Sequence, residues 1–196
     1  MNKRYDKKNK KSKKIGFFRR LIRNFYPTYI YEKVEHIPYK LIKKNDIKLI
    51  LIDMDNTLVD HNHIYNDDLK KWIRDIKEEG VLIYIFSNSP MGKTVKKIAA
   101  ELGIEYEYNV SKPGIKRFKK ICEELNIDKK NILMIGDQIF TDVWGGNRFG
   151  IRTILVTPIG DKEWILTKIK RPLERIVLKH YFKKKEATKW HNWYRI

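Results

Sequence analysis

The chain has 196 residues and a hydrophobic content of 42%, which is enough for one folded domain of ordinary size and excludes a wholly disordered chain. Its 43 Lys and Arg residues outnumber its 24 Asp and Glu residues, which gives a formal net charge of +19. Cys122 is the single cysteine, so an internal disulfide is excluded, and no apolar run approaches the ~20 residues that span a bilayer.

The basic residues are concentrated at the two ends of the chain. Residues 1–14 are mostly lysine and are predicted to form a disordered tail, and residues 161–196 combine lysine and arginine with tryptophan. Such ends predict a polyanionic partner. We expect an anionic phospholipid membrane surface, with nucleic acid as the less favoured alternative, and infer no obligate protein partner. Without a signal-peptide core, the chain is expected to be cytoplasmic and peripheral at the inner face of the membrane.

Residues 15–45 are predicted to form an amphipathic N-terminal segment. Phe18, Leu21, Ile22 and Phe25 recur at helical spacing, with arginines between them. A basic helix with an aromatic face suits a membrane interface, and it equally suits packing on the core of the domain. Both interpretations stay open at this point.

Residues 46–160 alternate short apolar runs with helical patterns. Alternation at this spacing predicts βαβ units, and hence an α/β fold with a five-stranded parallel sheet covered on both faces. Residues 161–196 are predicted to form a basic, aromatic helical extension that lies on lipid, folds back on the core or stacks on bases. The predicted strands are 49–53, 81–86, 105–109, 132–136 and 152–156, and the predicted helices are 67–79, 91–102, 115–125 and 141–149.

Two carboxylates stand at the end of the first of these strands. The apolar run 49–52 indicates a buried parallel strand, and Asp53 and Asp55 follow it directly. Parallel sheets bind ligands at the carboxyl ends of their strands. Like charges crowded there repel unless a cation or a shared proton relieves them. The pair therefore predicts a functional site, and an Asx-rich turn is the alternative for this spacing alone.

Further polar residues follow other strands of the predicted sheet. Ser87 and Asn88 come after the second strand, Lys112 lies near the end of the third, and Asp137 and Asp142 come after the fourth. Each group alone also suits a helix cap or a plain turn. Because the carboxyl ends of parallel strands share one edge of the sheet, we expect these residues to lie close to the carboxylate pair.

Together these groups resemble motifs one to four of the haloacid dehalogenase (HAD) superfamily of phosphotransferases. The strings at 55–59 and 136–150 and the basic C-terminal helix are similar to the YqeG-type phosphatases of subclass IIIA, which are related to the mitochondrial phosphatidylglycerophosphatase. Many such relatives have asparagine where this chain has Ser89, so the role of that residue stays open. The residues that carry the resemblance are Asp53-x-Asp55-x-Thr57, Ser87, Lys112 and Gly136-Asp137-x-x-x-x-Asp142, with Phe25-Tyr26-Pro27 upstream.

The resemblance implies a three-layer Rossmann-like sandwich and a role for each matching residue. The spacing from Asp53 to Ser87 is itself too short for a large cap domain, so we expect a capless site. The implied catalytic residues are Asp53 and Asp55, the phosphate-binding residues are Ser87, Asn88 and Lys112, the Mg²⁺ ligands are Asp53, the backbone carbonyl of Asp55 and Asp137, and the supporting residues are Thr57 and Asp142.

These roles match what phosphoryl transfer needs, namely an in-line nucleophile, charge neutralisation and a proton donor. The sequence therefore predicts a Mg²⁺-dependent phosphomonoester hydrolase with an aspartyl-phosphate intermediate. An open site between basic ends suits a phosphate on a large object, and we expect phosphatidylglycerophosphate at the membrane surface. The alternatives are a phosphatase for nucleic-acid ends or soluble phosphomonoesters, and a non-catalytic lipid- or RNA-binding adaptor.

Overall fold

A parallel sheet of six strands forms the centre of the molecule in the computed structural model, which describes residues 22–159 and 165–185. The order across the sheet is β1-β6-β5-β2-β3-β4, so the chain leaves β2 on one side and returns to β5 on the other. Such a switch point leaves a crevice at the carboxyl ends of the two strands. The strands are β1 (Tyr29–Tyr31), β2 (Leu49–Ile52), β3 (Leu82–Phe86), β4 (Glu105–Glu107), β5 (Ile132–Gly136) and β6 (Arg152–Val156).

Helices pack on both faces of the sheet. The strands and helices predicted between residues 46 and 160 are all present, which confirms the α/β class. A π-helical turn, Ile139–Val143, leads directly into α5. The helices are α1 (Tyr39–Lys44), α2 (Asp67–Glu78), α3 (Gly92–Leu102), α4 (Lys116–Glu124), α5 (Trp144–Phe149) and α6 (Ile165–Lys185), with 3-10 turns at Val34–His36 and Lys129–Asn131.

The central strand β2 explains why the fold has three layers. Its four aliphatic residues are fully buried, and side chains alternate between the two faces of a strand. Ile50 and Ile52 pack with residues of α2 and α3, whereas Leu49 and Leu51 pack with residues of α4 and α5. Each such buried side chain stabilises the fold by roughly 1.5–3 kcal/mol relative to exposure.

No large domain interrupts the chain near the switch point. Residues 53–87 contain a loop, α2 and β3. Asn66 caps the N-terminus of α2, because its side chain accepts a hydrogen bond of 2.7 Å from the Leu69 N–H. The capless arrangement expected from the spacing is therefore present. The crevice at the carboxyl ends of β2 and β5 is left uncovered by any inserted domain in this part of the chain.

The sheet contains one strand more than the five predicted. β1 pairs in parallel with β6, with Tyr29 opposite Ile154 and Tyr31 opposite Val156. The sequence gives little sign of this strand, because Tyr29–Tyr31 is only three residues long and all three are half-buried. The periodicity of a fully buried strand is absent there, and the residues resemble an aromatic connector.

The segment before β1 is held on the domain by aromatic and polar contacts. The Phe25 ring lies 5.3 Å from that of Phe140 in an edge-on contact. The Asn147 side chain in α5 donates hydrogen bonds to the carbonyls of Asn24, at 2.8 Å, and Tyr26, at 2.9 Å. Phe25 therefore packs on the core, and the other predicted helix residues Phe18 and Leu21 lie outside the described residues.

The C-terminal helix α6 has an inner and an outer side between residues 172 and 182. Val177, Leu178, Tyr181 and Phe182 are buried in a cluster that includes Ile139, Val143 and Leu155. Four exposed residues, Leu173, Arg175, Ile176 and Lys179, form what we call the outer face of α6. The tail of residues 1–14 and the aromatic residues Trp190, Trp193 and Tyr194 lie outside the described residues.

Within residues 22–159 and 165–185, no helix is both long and apolar enough to cross a membrane.

We expect Asn147→Ala to loosen β1. The substitution removes both donors that hold the carbonyls of Asn24 and Tyr26, which costs about 1–2 kcal/mol in the free energy of unfolding. Urea unfolding measures this loss, and amide exchange over Tyr29–Tyr31 should become faster. Lys97→Ala, which removes an exposed ion pair on α3, is the control, and equal losses in both variants would contradict the expectation.

Candidate active site

The end of β2 positions the first site residue. The Asp53 N–H continues the sheet by donating to the Ile135 carbonyl at 2.9 Å, so the residue is fixed between β2 and β5. The Asp53 side chain is buried and lies at the switch point of the sheet. The chain then turns in a tight loop, in which Asn56 has a left-handed φ of 61° and Asp55 is exposed. The two carboxylates predicted as a pair thus have different environments.

A buried lysine lies at the centre of the site. The Lys112 ammonium contacts the carboxylate of Asp53 at 2.6 Å and that of Asp142 at 2.7 Å, and it donates to the carbonyl of Phe86 at 2.6 Å. Only 1% of the Lys112 side chain is exposed. An ammonium without water needs such partners, because burying an isolated charge costs several kcal/mol.

Asp137 and Asp142 complete a group of three carboxylates with Asp53. One oxygen from each of these side chains lies within 4.8 Å of the others, and all three residues are buried. Thr57 contacts the group through a hydrogen bond of 3.5 Å from its hydroxyl to Asp137. The carboxylate of Asp55 is not in this group among the described residues, although its backbone carbonyl was the atom predicted as a ligand.

Asp142 reaches the site only because residue 136 is glycine. A Cβ on Gly136 would lie 2.3 Å from the Asp142 carboxylate, so any other residue would push that side chain away. The Asp142 oxygen nearest that Cβ position, Oδ2, accepts a hydrogen bond of 3.1 Å from the Gln138 N–H. This bond holds the carboxylate over the π-helical turn. The spacing Gly136-Asp137-x-x-x-x-Asp142 therefore has a steric explanation.

Asn88 orients the lysine-bearing loop. Its side-chain oxygen accepts from the Lys112 N–H at 2.7 Å, and its amide nitrogen donates to the Lys112 carbonyl at 3.0 Å. Both ends of this side chain are thus engaged by the backbone, a role that the sequence did not predict. Contact between Asn88 and phosphate stays a prediction. Ser87 is buried beside it, and its hydroxyl accepts from the Ser89 N–H at 3.0 Å.

The charges of the site shift its pKa values. Burial raises the pKa of Asp53 to about 7, because the attraction of Lys112 only partly offsets desolvation and the repulsion of Asp142 adds to it. Burial opposes the charge of Lys112, yet Asp142 and Asp53 together raise the lysine pKa above its ordinary value. Partial burial also raises the pKa of Asp55, against the attraction of His63 and Lys112.

The site has the donor set of a hard divalent cation. Three carboxylates lie together and the Lys112 ammonium contacts two of them, so the acidic groups outnumber this buried cation. The Asp142 oxygen nearest Lys112 lies 2.7 Å from the ammonium. Among the described residues, this oxygen has no hydrogen-bond partner. Oxygen ligands that are short of positive partners fit Mg²⁺ or a similar ion.

Two parts of the site were missed by the sequence analysis. The Phe86 carbonyl contacts Lys112, and no residue type signals a backbone acceptor. Glu174 of α6 is buried and accepts from the Ile139 N–H at 2.8 Å, next to the carboxylate group. The only signal for Glu174 is that it is the single acidic residue within Ile165–Lys185.

A strand-end carboxylate that contacts a buried lysine at the switch point of a parallel sheet defines an α/β enzyme for phosphate chemistry. The sequence profile of haloacid dehalogenase-like hydrolases matches residues 65–150. The chain is 34% identical over 167 residues to the probable phosphatase YqeG of Bacillus subtilis (strain 168), which covers 85% of this chain and 96% of that protein. The chain therefore belongs to the haloacid dehalogenase-like hydrolases, in the family of the YqeG phosphatase.

A second relative and a solved structure complete the comparison. The chain is 29% identical over 164 residues to phosphatidylglycerophosphate phosphatase 1, chloroplastic/mitochondrial, of Arabidopsis thaliana, which covers 77% of this chain and 46% of that protein. This chain therefore matches about half the length of that relative. The cobalt-bound deoxy-D-mannose-octulosonate 8-phosphate phosphatase of Haemophilus influenzae matches with a TM-score of 0.46 and 15% identity, over 72% of this chain and 92% of that chain.

Replacing Asp53 by asparagine is expected to remove a loss of stability that the metal-free protein undergoes as the pH rises. The folded-state pKa of about 7 lies above the ordinary value of 3.8, so wild-type stability falls as the pH rises between these values. Asp53→Asn lacks this ionisation, so its free energy of unfolding relative to the wild type should rise by on the order of 1–4 kcal/mol between about pH 4 and pH 8. Urea unfolding in the presence of a chelator, from about pH 4 to pH 8, measures the free energy of unfolding of both proteins. The same pH dependence in the two proteins would contradict the expectation.

Proposed function

We propose that this chain is a Mg²⁺-dependent phosphomonoester hydrolase that removes the phosphate of phosphatidylglycerophosphate at an anionic membrane surface. The observation that carries the catalytic part is the buried contact between Lys112 and Asp53, at 2.6 Å. A carboxylate and a phosphoryl group are both negative and repel each other. The fixed positive charge of a lysine beside the carboxylate reduces this repulsion, because it also attracts the phosphoryl oxygens. The fold, the family and the relatives named as phosphatases all support this chemistry.

The carboxylate group is the proposed cation site. Asp53 and Asp137 would hold Mg²⁺ with the backbone carbonyl of Asp55, and Asp142 lies close enough to bind or to orient it. When bound, Mg²⁺ neutralises charge on the phosphoryl oxygens and on the nearby carboxylates. Lys112 and Ser87 would contact the remaining phosphoryl oxygens.

Asp53 and Asp55 would divide the chemistry. The Asp53 oxygen attacks phosphorus, the bond from phosphorus to the alcohol oxygen breaks, and the Asp55 carboxyl gives its proton to the leaving alcohol. Asp55 then takes a proton from water, whose oxygen attacks the aspartyl-phosphate and releases inorganic phosphate with Asp53 regenerated. A raised pKa and an exposed side chain suit Asp55 for this exchange of protons.

Three observations support a lipid as the substrate. One relative is named a phosphatidylglycerophosphate phosphatase, and the crevice has no inserted cap domain in residues 53–87. The outer face of α6 adds a surface that suits lipid, since Leu173 and Ile176 are 55% and 60% exposed next to Arg175 and Lys179. Each basic residue near an anionic bilayer contributes about 1 kcal/mol to binding.

The substrate is tested with phosphatidylglycerophosphate in phosphatidylglycerol-containing vesicles. Wild-type protein should release inorganic phosphate with Mg²⁺ and stop when a chelator is added. Asp53→Asn, which removes the nucleophile but keeps the shape, should lose at least roughly a thousandfold in rate while binding the same vesicles. Hydrolysis of soluble phosphate esters or of oligonucleotide phosphates, with none of this lipid, would overturn the substrate and leave the phosphatase.

The outer face of α6 is tested by the double variant Leu173→Ser, Ile176→Ser. Removing two apolar side chains should lower kcat/KM on vesicle-bound lipid by roughly tenfold to a hundredfold. Activity on a soluble phosphate ester should stay unchanged, because neither residue is in the site. Leu82→Ser, at an exposed apolar residue where β3 begins, is the matched control. Equal losses on both substrates would contradict a membrane role for this face.

A further inference from the structure

A single acidic residue of α6 connects the C-terminal helix with the carboxylate group. Glu174 is the only Asp or Glu in Ile165–Lys185, a segment that contains many lysines and arginines. Its side chain is buried, with an exposed fraction of 3%. One carboxylate oxygen accepts a hydrogen bond of 2.8 Å from the Ile139 N–H.

Ile139 lies between two of the three carboxylates of the site. It is two residues after Asp137, and it begins the π-helical turn that carries Asp142. The next backbone contact in this loop is the hydrogen bond from the Gln138 N–H to Asp142. The orientation of Gln138 and Ile139 therefore sets where both carboxylates point, and a shift of either peptide would move them relative to Lys112.

We propose that Glu174 is a positioning residue for the cation site, which it acts on by fixing the Ile139 N–H and with it the loop 137–142. This inference rests on the proposed Mg²⁺ chemistry of that loop. It makes α6 a working part of the active site as well as the helix that carries the outer face. Glu174 is not one of the three carboxylates that could hold the cation, so it acts on them through the backbone of the loop.

The physical reason is the orientation that one buried hydrogen bond imposes. The Ile139 N–H is the first donor of the helical run formed by the π-helical turn and α5, and such N-terminal donors have no partner within the helix. The side-chain oxygen of Glu174 supplies the acceptor that this N–H lacks within the helix. Groups that orient metal ligands typically contribute tenfold to a hundredfold in metal affinity or activity.

Two conservative variants separate the hydrogen bond from the charge. Glu174→Gln keeps an oxygen at the same reach but loses the charge, and Glu174→Asp keeps the charge but is one methylene shorter. We expect Glu174→Gln to bind Mg²⁺ like the wild type in calorimetry with the metal alone, and Glu174→Asp to bind roughly tenfold to a hundredfold more weakly. In the metal-free proteins, amide exchange over residues 137–143 should be faster in Glu174→Asp only.

Phe182→Ala is the control for general loosening of α6, since Phe182 is buried on the same side of the helix two turns further on. It should lower the unfolding midpoint without changing Mg²⁺ affinity. Weaker Mg²⁺ binding in Glu174→Gln with normal binding in Glu174→Asp would assign the effect to charge and overturn the inference. Unchanged affinity and exchange in Glu174→Asp, or a loss that Phe182→Ala matches, would also overturn it.

The inference and the proposed function can fail separately. If the wild type binds no Mg²⁺, the cation chemistry is wrong, and the exchange of residues 137–143 in the metal-free variants alone decides the role of Glu174. If the wild type binds Mg²⁺ and hydrolyses the lipid but the two Glu174 variants behave alike, only the positioning role is lost.

Discussion

The site depends on one buried positive charge. Lys112 is almost fully enclosed, and it is stable there because Asp53, Asp142 and the Phe86 carbonyl surround its ammonium. A buried charge that loses a partner typically costs 3–5 kcal/mol, on the order of the stability of a whole domain. The surrounding structure therefore has to deliver these three groups to one point. Since two carboxylates meet one lysine and a third lies beside them, the balance of charge still favours a cation.

Several separate features of the chain serve that requirement. The Asn88 side chain holds the backbone of Lys112 on both sides, so the ammonium enters the site from a fixed direction. Gly136 leaves the space that Asp142 needs, and β2 carries Asp53 to the switch point of the sheet. Each of these features positions only one of the groups. Together they place the groups before any ligand arrives, which is what electrostatic catalysis requires.

The sequence was sufficient for most of the fold and for the main residues of the site, and the reason is physical. β2 is a run of aliphatic residues with its polar residues at one end, and parallel sheets place such ends at one edge. The sequence did not reveal contacts that are made by the backbone or by short segments far apart in the chain. β1 has three half-buried residues without periodicity, the Phe86 carbonyl has no side-chain signal, and Glu174 lies in a segment dominated by lysine.

The strand that the sequence did not predict, β1, also brings the segment before it against the C-terminal helix. Tyr26, just before β1, packs edge-on against Tyr181 of α6, with ring centroids 5.4 Å apart. This contact joins the segment before β1 to the inner side of α6, where both pack in the cluster that includes Ile139 and Leu155. A substitution that detaches β1 from β6 would therefore also uncover part of Tyr181 and loosen the packing of α6 on the sheet.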